Sequence, residues 1–418
     1  MTYRLNMREV TYALSEALDY VGIDDTMHGK RVGYMAAEIA KELGWESSKI
    51  DDIINAGMLH DSGVSSTDIH SKLVHELDWE DSQLHCQKGY LLLKNVPAYH
   101  RYAHAVLFHH THWNLLSNEI DFETRITANL LFLSDRIDAL RIQIGSESQS
   151  QQASIRDTIR NYSGSMFAPE LVDAFLEIAT ADSFWFYMES EALKGYFDEW
   201  IAEGEEKTVG FDELKSIAMM FAKVVDAKSS FTSIHTFGVA SLARYLSQAY
   251  GMSLESQEKI ELSAFFHDLG KLRVADSILH KNGPLNEEER VQMNRHGFDS
   301  HVILQKIRGF QEIAKIASIH HETLDAQGYP FHLHAEAIPI EARILAVADI
   351  FQALVQNRPY RVGLTAHQAY HILSGMVDAH KIDASVVEVV HAHLEECYEH
   401  AMKPDPFHAE TNNTAKGE

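Results

Sequence analysis

The sequence predicts an all-α protein. Three observations carry that reading. Only 8 Pro and 22 Gly punctuate 418 residues, which leaves long stretches free of helix breakers. Apolar residues recur at three- and four-residue steps, as one face of a helix requires. No array of alternating apolar and polar residues marks a sheet. Along the chain, the polar run Ser146 to Gln152 reads as a loop within the first half, and Ala202 to Thr208 as the hinge between halves. Phe211, Leu214, Ile217, Phe221 and Val224 then line one helical face across Phe211 to Val225. Leu364 to Leu394 reads as two helices, and Lys403 to Glu418, polar with two prolines, as a frayed tail. The expected domains are therefore 1–204, 205–402 and a tail over 403–418.

Charge removes several function classes. Lys and Arg total 36 against 61 Asp and Glu, a formal charge of −25. A binder of polymeric nucleic acid needs a basic face, and a polybasic membrane anchor needs the same sign. No apolar run approaches the roughly 18 residues of a membrane helix. The N-terminal stretch lacks an apolar signal-peptide core, so a cytoplasmic location is expected. Cys86 and Cys397 are the only cysteines, too few for a disulfide framework or a cysteine-rich zinc site. Histidine stands out instead, with 26 residues.

Ten of those histidines fall into two matched sets. The first comprises His28, His60-Asp61, His85, His109-His110 and Asp135. The second comprises His235, His267-Asp268, His296, His320-His321 and Asp349. The offset is 207 at the first positions (235 − 28), 211 in the middle (296 − 85) and 214 at the end (349 − 135). Flanking residues agree too: Gly57-Met-Leu-His-Asp-Ser-Gly63 parallels Ala264-Phe-Phe-His-Asp-Leu-Gly270. This is a duplicated helical domain. Histidines outside the sets, such as His112, His301, His391 and His400, read as ordinary packed or solvated side chains.

Five imidazoles and two carboxylates without thiolate suit two divalent transition ions such as Fe, Mn, Ni or Zn. A His-Asp pair on one helix aims two ligands into one cavity. The carboxylate has two oxygens and can bridge two ions. Ions roughly 3.5–4 Å apart can acidify a shared water and neutralise a phosphoryl oxygen. The constellation predicts metal-assisted hydrolysis of a phosphoester.

The second half resembles the HD-GYP family of metal-dependent phosphodiesterases. The motifs are His267-Asp-Leu-Gly-Lys271, His320-His-Glu322, Asp325-Ala-Gln-Gly-Tyr-Pro330, Ala342 to Asp349 and Arg358-Pro-Tyr-Arg361. With the upstream HD-like domain, the arrangement looks like that of the Vibrio-type enzymes acting on 3′3′-cyclic GMP-AMP. The resemblance implies His235, His267, Asp268, His296, His320, His321 and Asp349 as ligands of two divalent ions (Fe, Mn or Ni), with Asp268 as the bridge. It implies Asp268 and Lys271 as catalytic residues, and Lys271, Tyr329, Arg358 and Arg361 as contacts to a cyclic dinucleotide that is opened to a linear 5′-phosphorylated product. Cyclic di-GMP phosphodiesterase and HD-type nucleotidase are the alternatives. A non-catalytic HD signalling module fits less well, because both halves keep their ligand positions.

Departures from the family pattern shape the substrate expectation. Ala326 stands where Gly is common, so the loop should be less free in φ. His332 and Leu333 follow where another small residue is common. Phe231 stands where some members carry a Glu for a third ion, so two ions are expected. Gln352 replaces a frequent Asp. These point away from cyclic di-GMP and toward the mixed dinucleotide. The first half keeps its seven positions, a candidate second metal set, but has Val64 for Lys271 and Thr111 for Glu322. It carries no Gly-Tyr-Pro and no Arg-Pro-Tyr-Arg. Its expected task is to buttress, regulate or dimerise the second, so control runs through a homodimer or between domains.

Overall fold

A computed structural model describes residues 2–22, 27–64, 66–78, 80–228, 235–357 and 362–404. The chain divides into two compact units. One runs from Arg4 to Thr208; the other runs from Val209 onward and includes Thr2 and Tyr3. Among the described residues the only sheet is two-stranded, β1 (Thr2–Asn6) with β2 (Glu206–Gly210). The other named elements among the described residues are helices, and the protein is all-α.

The first unit contains α1 (Met7–Asp19), α2 (His28–Glu42), α3 (Ser47–Leu59), α4 (Thr67–His75), α5 (Gln83–Leu93), α6 (Ala103–Phe108), α7 (Phe122–Ile144), α8 (Gln149–Asn161), α9 (Pro169–Ile178), α10 (Asp182–Phe186) and α11 (Ser190–Ala202). The second contains α12 (Phe211–Lys228), α13 (His235–Ala249), α14 (Leu254–Phe266), α15 (Asp276–Leu279), α16 (Glu287–Leu304), α17 (Gln311–Ser318), α18 (Ile340–Val355), α19 (Ala366–Asp378), α20 (Ala384–Ala392) and α21 (Leu394–Ala401). No helix among the described residues is long and apolar enough to cross a membrane.

The same packing recurs in both units. α2 lies against α3 and α7, and α5 against α6; correspondingly α13 lies against α14 and α18, and α16 against α17. In the first unit the central helix is buried on all sides: every residue from Ala128 to Leu140 in α7 is buried. Such a helix shows no amphipathic stripe, because no face meets water. On α12, by contrast, Leu214, Ile217, Phe221 and Val224 are buried along one face.

Two local expectations need correction. Only Ser146–Ser148 of the polar run is loop. Ser148 caps α8 in a reciprocal capping box with Gln151, so the polar glutamines that follow are helical. The His-Asp pairs do not sit within a helix. α14 ends at Phe266, His267 is its C-cap, and Asp268 opens a 3-10 turn over Leu269–Arg273. The cause is close packing. A Cβ on Gly270 would sit 2.1 Å from the carbonyl oxygen of His296, and one on Gly63 would sit 1.9 Å from that of His85. Glycine two residues after the Asp lets the turn press against the helix carrying the next histidine.

Candidate metal centre

In the second unit the five imidazoles and two carboxylates converge from five elements. His235 begins α13, His267 and Asp268 leave α14, His296 lies inside α16, His320 and His321 follow α17, and Asp349 lies inside α18. Asp268 divides the set. Its Oδ2 is 3.3 Å from His267 Nε2 and 3.9 Å from His235 Nε2. Its Oδ1 is 3.6 Å from His296 Nε2 and 4.0 Å from His320 Nε2. Asp349 Oδ1 joins the first group, 3.3 Å from His235 Nε2. The ligand atoms of His235, His267 and Asp268 lie within 4.8 Å of one another, and so do those of His296, His320 and His321. One carboxylate thus lies between two trios.

Four of the five rings are aimed by their other nitrogen. The Nδ1–H groups of His267, His296 and His320 donate to the carbonyls of Ala264, Met293 and Ala317 at 2.6–2.7 Å. That of His235 donates to Gln352 Oε1 at 2.6 Å. A carbonyl only accepts, so the hydrogen sits on Nδ1 and Nε2 turns its lone pair inward. His267 Nε2 and Asp268 Oδ1 are buried without a hydrogen-bond partner. Leaving such groups unsatisfied costs about 1–3 kcal/mol each. Convergent, desolvated lone pairs of imidazole and carboxylate fit divalent transition ions.

Electrostatics agree with that donor set. Burial, helped by neighbouring imidazoles, pushes His321 down to about 3 and holds His320 well below the usual range. Burial also lowers His296, to about 4. These rings are neutral at pH 7. His267 differs: burial pulls it down, but Asp268 and Asp349 outweigh burial and lift it to about 8. Burial opposes ionisation of Asp268, yet His267 and Lys271 hold its carboxyl well below the usual range.

Around the trios stand the groups absent from the first unit. Lys271 Nζ donates to Asp268 Oδ2 at 2.6 Å, and its side chain stays partly exposed. Both oxygens of Glu322 accept backbone N–H groups, from Phe331 at 2.6 Å and Leu333 at 2.9 Å, which pins the Gly-Tyr-Pro loop. Tyr329 lays its ring 4.8 Å from that of His321. Gly328 is tightly enclosed, since a Cβ would lie 2.3 Å from Thr323 N. Ala326 does adopt a left-handed backbone, φ 58°, so the loop keeps the glycine-like turn at the cost of some strain. Arg358, Arg361 and Phe231 lie outside the described residues.

The first unit repeats the frame. Asp61 Oδ2 is 3.5 Å from His60 Nε2 and 3.6 Å from His28 Nε2; its Oδ1 is 3.5 Å from His85 Nε2 and 3.9 Å from His109 Nε2. Asp135 Oδ1 is 3.4 Å from His28 Nε2, and its Oδ2 is 3.5 Å from His110 Nε2. Behind His28 stands Asp138, accepting from His28 Nδ1 at 2.8 Å and from Arg31 and Arg141.

Asp138, Asp19 and Asp226 escaped the sequence reading, and so did the role of Gln352, although the offsets could have found them. Asp138 and Gln352 stand 214 apart, three residues beyond Asp135 and Asp349. Asp19 and Asp226 stand 207 apart. Asp19 accepts from Gly29 N at 2.9 Å and Asp226 from Thr236 Oγ1 at 2.7 Å, each tying down the start of a histidine helix. The histidines outside the sets are placed as packing predicts: His391 stacks on Tyr370 and His400 bonds Ser241.

Comparison with known proteins places the chain. Models of the HD domain, a metal-dependent fold, match residues 27–140 and 217–386. The chain is 35% identical over 411 residues to the 3′3′-cGAMP-specific phosphodiesterase 1 of Vibrio cholerae, covering 97% of this chain and 95% of that protein. It is 39% identical over 150 residues to a cyclic di-GMP phosphodiesterase response regulator of Xanthomonas campestris, covering 35% of this chain and 40% of that protein. A crystal structure of a cyclic GMP-AMP-specific phosphodiesterase of V. cholerae shares the fold, with a TM-score of 0.64 at 21% identity over 94% of this chain and 98% of that one. Two HD domains in tandem, with the histidine–aspartate frame in both and the Gly-Tyr-Pro loop in the second, make this chain a member of the HD-GYP family of HD-domain phosphodiesterases.

Proposed function

We propose that the second domain, residues 205–402, hydrolyses 3′3′-cyclic GMP-AMP to a linear dinucleotide with a 5′-phosphate. The observation that carries this reading is Asp268 shared between two trios with Lys271 beside it. His235, His267, Asp268 and Asp349 would hold one divalent ion, and Asp268, His296, His320 and His321 another. Bound there, such ions (Fe, Mn or Ni) polarise a phosphoryl oxygen and acidify a water. The chain's own residues do the rest. The backbone and Gln352 carbonyls orient the imidazoles. Lys271 donates from the open side of Asp268, where charge develops on a phosphoryl oxygen. Tyr329 walls the site beside His321, and Glu322 holds that wall. Arg358 and Arg361 supply guanidinium forks suited to phosphate.

The near full-length similarity to the V. cholerae enzyme supports the mixed dinucleotide, and the Xanthomonas relative, similar over a shorter stretch, keeps cyclic di-GMP as the second reading. A small dianionic messenger also suits an acidic chain acting in the cytoplasm. Its attraction comes from a local cationic pocket rather than from net charge. The first domain, 1–204, supports or regulates the second, through a homodimer or within one chain. Chromatography of products from both cyclic dinucleotides, with Mn or Fe supplied, tests the proposal. Cyclic GMP-AMP should be opened faster. Turnover of neither would overturn the activity, and faster opening of cyclic di-GMP would overturn the substrate.

A further inference from the structure

The two sites share a frame but differ in how their lone pairs are spent. In the second unit His296 Nε2 and His320 Nε2 face each other at 3.4 Å. Both rings carry their hydrogen on Nδ1, donated to Met293 O and Ala317 O. Two lone pairs therefore point at one another, an arrangement that only a cation reconciles. In the first unit the matching pair, His85 Nε2 and His109 Nε2, lies 3.2 Å apart. His109 Nδ1 donates to Val106 O at 2.6 Å, but His85 Nδ1 is buried with no partner. The neutral His85 ring is thus better served with its hydrogen on Nε2, donating to His109. That bond consumes both lone pairs.

Three neighbours reinforce the difference. His110 Nε2 turns to Asp135 Oδ2 at 3.5 Å, and the buried Arg136 holds the same oxygen at 2.8 Å, bringing a fixed positive charge to this side. Ile350 stands at the matching position of the second unit, at the 214 offset. Phe132 packs 5.1 Å from His110, where the second unit has Ala346. Cys86 stands at the place of Gly297; its Sγ lies within 4.8 Å of the ring nitrogens of His85 and His109, but it keeps its thiol hydrogen, donated to Ser82 O at 3.4 Å. The other half of the first-unit site is intact. His60 Nδ1 donates to Gly57 O at 2.7 Å and His28 Nδ1 to Asp138 at 2.8 Å, and His60 Nε2 is buried without a partner.

We infer that the first unit holds a single divalent ion, on His28, His60, Asp61 and Asp135, so that a loaded chain carries three ions. The inference rests on the two-ion reading of the second unit. The test is ion counting on the full chain loaded with Mn(II) and desalted, with thermal melts to confirm folding. The wild type should bind three ions, His28→Ala two, His85→Ala three, and His267→Ala with Asp268→Ala one. Mn(II) paramagnetic resonance of that last variant should show the six-line pattern of an isolated ion, so the test survives a misfolded His28 variant. A coupled pair there, a total of four, or an ion lost on His85→Ala would overturn the inference. So would a total of two that His28→Ala leaves unchanged. No ion lost from the double variant would instead overturn the two-ion reading of the second unit.

Discussion

The two domains place seven ligand-type residues in the same frame, yet only one surrounds them with groups that can act on a phosphate. Asp61 and Asp268 each face four imidazoles at 3.3–4.0 Å. Beyond that, the cations differ. The second domain sets a partly exposed Lys271 against its shared carboxylate. The first sets buried Arg31 and Arg136, with Arg141, against Asp138 and Asp135. A buried guanidinium locked to a carboxylate stabilises a fold but cannot reach a substrate. The ligand frame is carried by packed helices and the glycine-packed turns between them, which are the core itself. The groups around that frame are an outward-pointing side chain on such a turn, Lys271, and a loop carrying Tyr329, and both can change without unfolding the core.

Substitutions can break this contrast. The largest effect should come from His267→Ala with Asp268→Ala: turnover falls by at least about 10⁴-fold with loss of bound ion. The matched His60→Ala with Asp61→Ala should leave much more activity, and equal losses in a turnover assay would erase the distinction. Asp138→Asn removes the carboxylate charge that Arg31, Arg141 and His28 share and replaces one acceptor oxygen with an amide donor. It should cost the first domain about 3–5 kcal/mol in denaturant melts, the usual penalty for orphaning a buried ion pair. Lys271→Ala should keep its ions and lose about 10²–10³ in rate, as for a lost oxyanion donor. Ion loss in that variant would contradict its role.

The smallest effect concerns pH. His267 holds a proton up to about 8, and an ion must displace it. Affinity in the second domain should therefore fall as pH drops below 8, by about tenfold per unit for one proton. His296 and His321, lowered to about 4 and 3, add nothing in that range. Ion titrations at pH 6, 7 and 8 check the slope, and a flat response would sink the assignment.

Much of this was legible from spacing. The duplication, the helical class and the paired sets follow from offsets and periodicity alone. Motif residues such as Glu322 were visible, but not what Glu322 does. Its two oxygens hold amides nine and eleven residues away, and loop closure of that kind has no local signature. Ala326 looked like a restriction on the loop. In the fold it takes the left-handed turn, because surrounding contacts outweigh a cost of about 1–2 kcal/mol. Gln352 looked like a lost carboxylate, and it proves to be the acceptor that orients His235.

By itself, then, the sequence determined which residues form each set, because repeat offsets survive as numbers however the chain folds. It also settled the ordinary helices, where one face meets water and leaves a stripe. Tertiary structure decided what one-dimensional spacing cannot carry. It decided which oxygen of Asp268 meets which trio, which ring nitrogen keeps its lone pair, and which cation is buried and which reaches solvent. Those depend on directions of side chains brought together over a hundred residues, and hydrogen bonds and ion pairs are decided by direction.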